Sequence, residues 1–566
     1  MVLLVIHREK GPVITDDVFT PGPGRTVFSL RPPKSDVDRF REEGVWRDGN
    51  PVQDLVRWRD ETPDAVALIA LQTETGETTS LTYRDYARCV ERYAGALAEL
   101  GVGPGQVVAL QLPNVWQVPP LLLACFRLGA VVAPVMPTIR SRELERVLHR
   151  VGATVCVTAD VWDGYDHAGA LAEMAPRLPK LRHRVVLGSR IGAGEVDFTR
   201  HFEQPRETRP LDDAWPDPDQ VCVVLFTSGT SGRPKAALHT FNTEYATAAA
   251  HVTPDDRGPA ERFFTPHSLT HTGGIFLCLM RPLLTGGSGV VADRWVPEAI
   301  GPFLEATAVT QVLIAPVFLA ELMPFARPGS LRLVTTLGTA TPAPLVEAVA
   351  RDLGLPLRTC WGMTESGGTL MRADDPPDWA LHSAGRVSRG SELDLRSDLG
   401  EITAERPGRL YIRGATVCLA TVGRDTGELV VPADHDHGWY DTGDLAIPDG
   451  RGGIRLMGRD ADRIGGVLMI PASDVESALL AHPAVRDVAL VGYPDPAGGE
   501  LPAAVVVAAG SPPTLADLRE HLAALGMTEW YWPTRLELVD QLPRNAMGKI
   551  RKDVLARDLT RRSTVD

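Results

Sequence analysis

The densest run of residues able to do chemistry is Thr227, Ser228, Gly229, Thr230, Ser231 and Gly232, closed by Lys235. Glycines let a backbone turn several N–H groups toward one point, hydroxyls add donors, and the lysine adds a positive charge. Such a loop can hold phosphate oxygens. Val221–Phe226 in front of it is continuously apolar, as a strand buried on both faces would be. A Walker loop is excluded, because that motif needs Gly immediately before Lys. His267 and His271, in PHSLTHTGG, have the spacing of a helical metal pair. No acidic third ligand is in register with them, however, and glycines follow at once. The DHDH run Asp434–His437 is metal-like in composition only; ahead of the strand-like WYDTGD it reads as a polar turn.

These groups need a scaffold of some size, and the 566 residues supply one. The net charge is −14, with 44% hydrophobic and 23% charged residues, which fits neither a disordered nor a membrane chain. No block of Lys/Arg points to nucleic acid. Met1–Ile6 is too short and lacks the leader and cleavage site of a signal peptide. The apolar stretch Pro119–Met136 is interrupted by Arg127 and reads as a buried helix followed by a strand, so no membrane span is expected. Seven scattered cysteines, never spaced as CxxC, are expected to be reduced core residues of a cytoplasmic protein.

From about residue 50 helices and strands alternate. Thr82 with Asp85 offers an N-cap, Val90, Tyr93, Leu97 and Leu100 recur at helical spacing, and Gly101 marks the stop. Gln106–Leu112, Ala130–Val135 and Thr154–Thr158 read as strands, with a helix opening at Ser141. Short apolar strands separated by helices imply an α/β fold with parallel or mixed sheets covered on both faces. Residues 1–50, proline-rich and weakly periodic, read as a surface extension, and 51–457 as a large domain. Residues 458–566 form a small α+β domain, with helices at Ala472–Ala481 and Leu515–Leu525 and strands at Val485–Tyr493 and Ala503–Ala508.

Beyond the loop FTSGTSGRPK, four further segments carry a family likeness: CWGMTE (Cys360–Glu365), WYDTGDL (Trp439–Leu445), GRDAD (Gly458–Asp462) and LPRNAMGK (Leu542–Lys549). In this order and at these separations they resemble the signatures of the adenylate-forming superfamily of acyl- and aryl-CoA synthetases, peptide-synthetase adenylation domains and luciferases. The N-terminal region, with RFREEGVWRDG, is most similar to the cyclohexanecarboxylate- and aryl-CoA ligase branch. The resemblance implies ATP and Mg²⁺ as cofactors, CoA or a carrier-protein thiol as possible partner, and a small or aromatic acid as substrate. It implies a small domain that moves between half-reactions.

By the same resemblance the loop, Thr227 to Gly232 with Lys235, would hold the β- and γ-phosphates. Glu365 would bind Mg²⁺, Thr364 would touch the α-phosphate, and Trp361 would pack on adenine. Asp444 would bind the ribose hydroxyls with support from Arg459, and Lys549 would bridge carboxylate and α-phosphate. His271 would line the acyl channel. Gly338 belongs to LGTATP, which matches a glycine-rich segment beside the acyl pocket; with Ala315, Pro316 and Val317 it implies a short pocket containing a hydroxyl.

The hinge departs from the family pattern. Ala461 stands where an acidic or lysine residue is usual, and RIGGVLMIP (Arg463–Pro471) is about two residues short, with Val467 and Leu468 replacing polar residues. That segment lines the path of the thiol in CoA ligases. Three readings therefore stay open: a two-step acid–thiol ligase whose carrier, if any, acts in trans; an adenylating enzyme that activates nitrite to diazotise an aryl amine; and a non-catalytic nucleotide-binding regulator. Intact Thr364, Glu365, Asp444, Arg459 and Lys549 argue against the last.

Overall fold

The computed structural model describes residues 27–204, 215–227, 235–253, 256–326, 329–338, 341, 343–397, 400–403, 407–422, 429–459, 464, 470, 472–495, 499–543, 550 and 552–563. Two nine-stranded mixed sheets dominate. In one, Leu357–Met363, Leu333–Thr336, Gln311–Ile314, Arg262–Phe264, Ser288–Ala292 and Val66–Leu71 lie side by side in parallel. In the other, Val221–Thr227, Val131–Pro134, Val107–Gln111, Val155–Ala159 and His183–Leu187 do the same.

The continuous apolar runs are explained by what covers them. Val108 and Leu110 face a shared central core with Leu68 and Ala70 of the other sheet, and the helices Tyr83–Glu99, Val118–Arg127 and Phe241–Ala249 fill that layer. Val107 and Ala109 face the opposite way, onto Ser141–Val151. Val312, Ile314 and Val334 face the helices Pro297–Ala306, Pro316–Leu322 and Ala343–Leu353. Each strand is thus buried on both faces, as parallel sheets require. The expected cap is present: the Thr82 side chain accepts from Asp85 N, and Gly101 takes the left-handed conformation after the helix.

The N-terminal extension differs from expectation in its described part. Lys34–Glu42 is a helix, and Val37, Phe40, Val45 and Trp46 bury against Ala246 and Ala415. Trp46 Nε1 donates to Ala415 O at 3.0 Å. Pro33 ends the extended lead-in and sits at the N-cap, where a missing N–H costs nothing.

A four-stranded antiparallel sheet, Ser391–Arg396, Gly408–Gly414, Tyr440–Pro448 and Ile454–Arg459, follows the two large ones. The smaller C-terminal unit has a three-stranded sheet of Val485–Pro494, Glu500–Ala508 and Arg535–Leu538. Helices Ala472–Leu480 and Leu515–Ala524 cover one face and Lys552–Ser563 the other. It docks on the start of Ser141–Val151: Thr528 Oγ1 donates to Glu143 Oε2 at 3.2 Å, and Arg140 pairs with Glu529 at 3.3 Å. The chain is therefore an α/β protein with a large N-terminal sheet domain and a smaller C-terminal one. All seven cysteines are free thiols, and among the described residues no helix is long and apolar enough to cross a membrane.

Candidate active site

The strand Val221–Thr227 leads out and Lys235–Thr240 leads back antiparallel to it, with Thr227 opposite Lys235. The loop is thus the turn of a hairpin rooted in the second large sheet. Ser228, Gly229, Thr230, Ser231 and Gly232 lie outside the described residues, and the Thr227 side chain with them. Lys235 Nζ sits 3.0 Å from Glu365 Oε1 and also meets the Tyr440 hydroxyl, which donates to the same oxygen at 3.1 Å. Glu365 is only 5% exposed. Burial alone pushes its pKa up, but the Lys235 charge and the two side-chain hydrogen bonds outweigh it and hold the carboxyl below its ordinary value. Burial, and then the negative Glu365, keep the Tyr440 phenol protonated. An ionised carboxylate, an ammonium and a phenol therefore converge at the mouth of the hairpin.

Trp361, on the strand Leu357–Met363, donates from Nε1 to Asp444 Oδ2 at 3.0 Å, and both residues are buried. Asp444 lies opposite Arg459 across the pair Tyr440–Pro448 and Ile454–Arg459. The indole thus fixes the carboxylate expected to meet the ribose. The Thr364 carbonyl accepts from His239 Nε2 at 2.7 Å, so that nitrogen must carry a proton. Behind it, Glu244 is buried with both carboxylate oxygens lacking a hydrogen-bond partner, 3.6 Å from His239 Nδ1. Its pKa is raised by burial against the opposing pull of His239.

His271 is not on a helix with His267. It caps the short helix Thr272–Gly274, where its Nδ1 accepts from Gly273 N at 3.2 Å. Both imidazoles line a cavity of about 430 Å³ with Asn114, Ala315, Phe318 and, from the C-terminal unit, Ile470 and Trp530. Burial lowers His271 to about 4 and His267, with the added effect of His271, to about 3. The two are therefore neutral at physiological pH, and among the described residues no cluster of three or more His, Cys, Asp or Glu side chains could hold a metal ion. The DHDH segment forms two short exposed turns, with Asp436 paired to Arg396. Gly338 takes φ +91°, a left-handed conformation that favours glycine, at the end of the strand Leu333–Thr336. Lys549 and the hinge positions 460–463 and 465–469 lie outside the described residues.

Four buried or half-buried histidines make a pH prediction. His167, His251, His267 and His271 are all lowered, chiefly by burial, to about 4, 3, 3 and 4. As pH falls below about 6.5 the unfolded chain takes up protons that the folded one refuses until near pH 4. Stability is therefore full above about pH 6.5 and is lost on acidification, by up to about 1.4 kcal/mol per histidine per pH unit. The urea unfolding midpoint should drop markedly from pH 7.5 to pH 5. An unchanged midpoint would mean that these histidines protonate freely in the folded state.

Tyr440, His239 and Glu244 were not legible as site residues from motif likeness. A period-two reading outward from Asp444 would have found Tyr440, since Tyr440, Thr442 and Asp444 share the buried face of one strand. For His239 the signal was polarity directly after the apolar run Ala236–Leu238; Glu244 stands in a helix that also carries Asn242, Thr243 and Thr247, so nothing local singled it out.

The family of AMP-binding enzymes matches residues 55–420, and its AMP-binding enzyme C-terminal domain matches residues 474–549. A 2-hydroxy-7-methoxy-5-methyl-1-naphthoate–CoA ligase of Streptomyces carzinostaticus is 29% identical over 91% of this chain and 94% of its own. A salicylyl-CoA synthase / salicylate adenylyltransferase of a Streptomyces species is 30% identical over 94% and 97%. Among solved structures, the o-succinylbenzoate CoA synthetase of Bacillus subtilis shares the fold, with TM-score 0.75 and 23% identity over 90% of this chain and 98% of that one. The amide bond synthetase McbA of Marinactinospora thermotolerans has TM-score 0.74 and 25% identity over 90% and 100%. None of these names describes activation of nitrite, so the diazotising alternative gains no support and is set aside. With the family's two parts matched in order over most of its length, the chain belongs to the AMP-binding enzymes, the adenylate-forming superfamily.

Proposed function

We propose that this ligase uses ATP to activate an aromatic carboxylic acid and then transfers the acyl group to a thiol, of CoA or of a carrier protein. The observation that carries this reading is the convergence of Lys235, Glu365 and Tyr440 beside the Trp361–Asp444 pair, which draws three separate motifs into one place. In the first half-reaction a carboxylate oxygen attacks the α-phosphorus and pyrophosphate leaves. In the second a thiolate attacks the acyl carbon and AMP leaves. Bringing two anions together is mainly a problem of positioning and charge neutralisation. Thr227, the loop and Lys235 would take the leaving phosphates, Thr364 the α-phosphate, Asp444 with Arg459 the ribose, and Lys549 the carboxylate as it attacks.

Glu365 fits Mg²⁺, a hard cation usually held by one or two carboxylates plus substrate phosphates. It is a carboxylate kept ionised although buried, at the loop's mouth, and the ion would supply charge neutralisation of the phosphates there. An acid as large as a substituted ring fits beside neutral His271, Ala315 and Phe318, and the naphthoate and salicylate relatives act on acids of that kind.

A second acceptor is favoured by one observation. Among the described residues the lining of the 430 Å³ cavity includes Asp293, Asp495 and Glu500 along with Arg294, and burial raises the Glu500 carboxyl. Carboxylates there would favour an amine over the phosphates of CoA, and the amide bond synthetase shares the fold. Acid-dependent pyrophosphate exchange from ATP across benzoic, salicylic, naphthoic and cinnamic acids tests activation. Adding CoA or primary amines and reading products by mass then separates thioester from amide. No exchange with any acid would overturn the reading.

A further inference from the structure

A second cavity, of about 450 Å³, lies away from the loop, between the central helical layer and the first large sheet. Its strand residues Gln311, Leu313, Thr335 and Arg358 share one sheet face, and Ala315, which lines the first cavity, follows the end of the strand Gln311–Ile314. Four residues separate Gln311 from Ala315, roughly 13 Å along a strand. The cavity is therefore the layer beneath the acyl region, and it opens to solvent past Arg332 and Arg372.

Its charge is unbalanced. Asp256 is fully engaged, by Thr253, by Gln311, and by Arg281 and Arg332 at 3.4 and 3.7 Å. Arg332 also pairs with Glu261 at 2.5 Å, and Asp374 is taken by Arg386 at 3.0 Å. Arg358 is left over. Among the described residues its guanidinium has neither an ion pair nor a side-chain hydrogen bond; it feels Asp256 and Asp375 only at longer range, and burial lowers its pKa. A half-buried guanidinium with no partner, on the wall of a solvent-reaching cavity, is costly unless something neutralises it. His251, neutral and with Arg281 as its charged neighbour, also lines the cavity and adds a polar group without negative charge.

We infer that this cavity binds a small anionic group, a carboxylate or phosphate, with Arg358 as the reading residue. Such a group has two sources: the far end of the acid being activated, or a free anion. The second source is independent of the proposed reaction, and the first rests on it, so binding and turnover are measured separately. With the nucleotide site filled by α,β-methylene-ATP and Mg²⁺, malonate is titrated calorimetrically into the wild type, Arg358→Gln and Arg358→Lys at matched ionic strength. Exchange kinetics are run with benzoate against terephthalate and cinnamate against 4-carboxycinnamate.

Loss of one charge-assisted pair should weaken the anion roughly tenfold or more, with partial recovery in the lysine variant. If Arg358→Gln raises KM that much for the dicarboxylates and not for their parent acids, the anion is the substrate's far end. If it abolishes malonate binding while both sets of KM values stay fixed, the site takes a free anion. Unchanged malonate affinity together with unchanged KM ratios, in a variant whose ATP affinity and unfolding midpoint match the wild type, would overturn the inference. A variant that fails to fold leaves Arg358→Lys and the wild-type titration to decide it: absence of malonate binding and of any preference for dicarboxylates in the wild type overturns it as well.

Discussion

Changing Glu365 to glutamine should lower acid-dependent pyrophosphate exchange by about 10²-fold or more and move the Mg²⁺ requirement to higher concentration. The substitution keeps shape and removes charge. In the folded protein Glu365 is a buried carboxylate whose ionisation rests on Lys235 at 3.0 Å and on the Tyr440 hydroxyl. Glutamine can still accept from Tyr440 but offers no formal charge to a divalent cation. The fold should survive, because the Lys235 side chain retains 26% exposure and can turn to water when its partner is neutral. An Mg²⁺ titration of exchange rate reads the effect, with the unfolding midpoint as the control for structure. Wild-type rate and an unshifted titration would remove Glu365 from the metal role.

What the sequence disclosed about this cluster and what it hid have different physical origins. Glu365, Asp444 and Lys235 each stand inside a short motif, so their importance was local information. Their partners are not local: Lys235 and Tyr440 are 205 positions apart, and Trp361 and Asp444 are 83 apart. Only the packing of three different sheets brings them together. Trp361 shows the cost of reading a motif by itself. As a motif residue it reads as an adenine-stacking ring, and nothing local says that its N–H would be spent on the carboxylate expected to bind ribose.

The fold divides in a similar way. Strands such as Val107–Gln111 and Val155–Ala159 announced themselves by the apolar runs Val107–Leu110 and Val155–Val157, because both faces of each are covered. Their neighbours were not legible: Val221–Thr227 lies beside Val131–Pro134 across about ninety intervening residues, a crossover that periodicity cannot encode. The helix Lys34–Glu42 was missed for the opposite reason. It is short and highly charged, and only two of its residues, Val37 and Phe40, are buried. A stripe that narrow gives little period, although the Trp46–Ala415 contact ties it to the distant chain.

Lys549 is the position where the largest loss is expected from the least local information. Replacing it by alanine should lower adenylate formation by roughly 10²–10³-fold while ATP affinity stays within a factor of two. The reasoning is chemical. In the proposed reaction Lys235 and the loop would neutralise the departing phosphates, with Glu365 beside Lys235 as a negative group, and none of these would offer a cation to the attacking carboxylate. A second positive charge, placed between carboxylate and α-phosphorus, stabilises charge that develops only as the bond forms, so its removal should fall on the rate of the first half-reaction and not on nucleotide binding. Supplying a chemically prepared acyl-adenylate bypasses that half-reaction, and acceptor transfer in Lys549→Ala should then run near the wild-type rate. A variant with full exchange activity would take Lys549 out of the first half-reaction. One that had lost both exchange and transfer, with ATP affinity intact, would instead place the lysine in a step common to both.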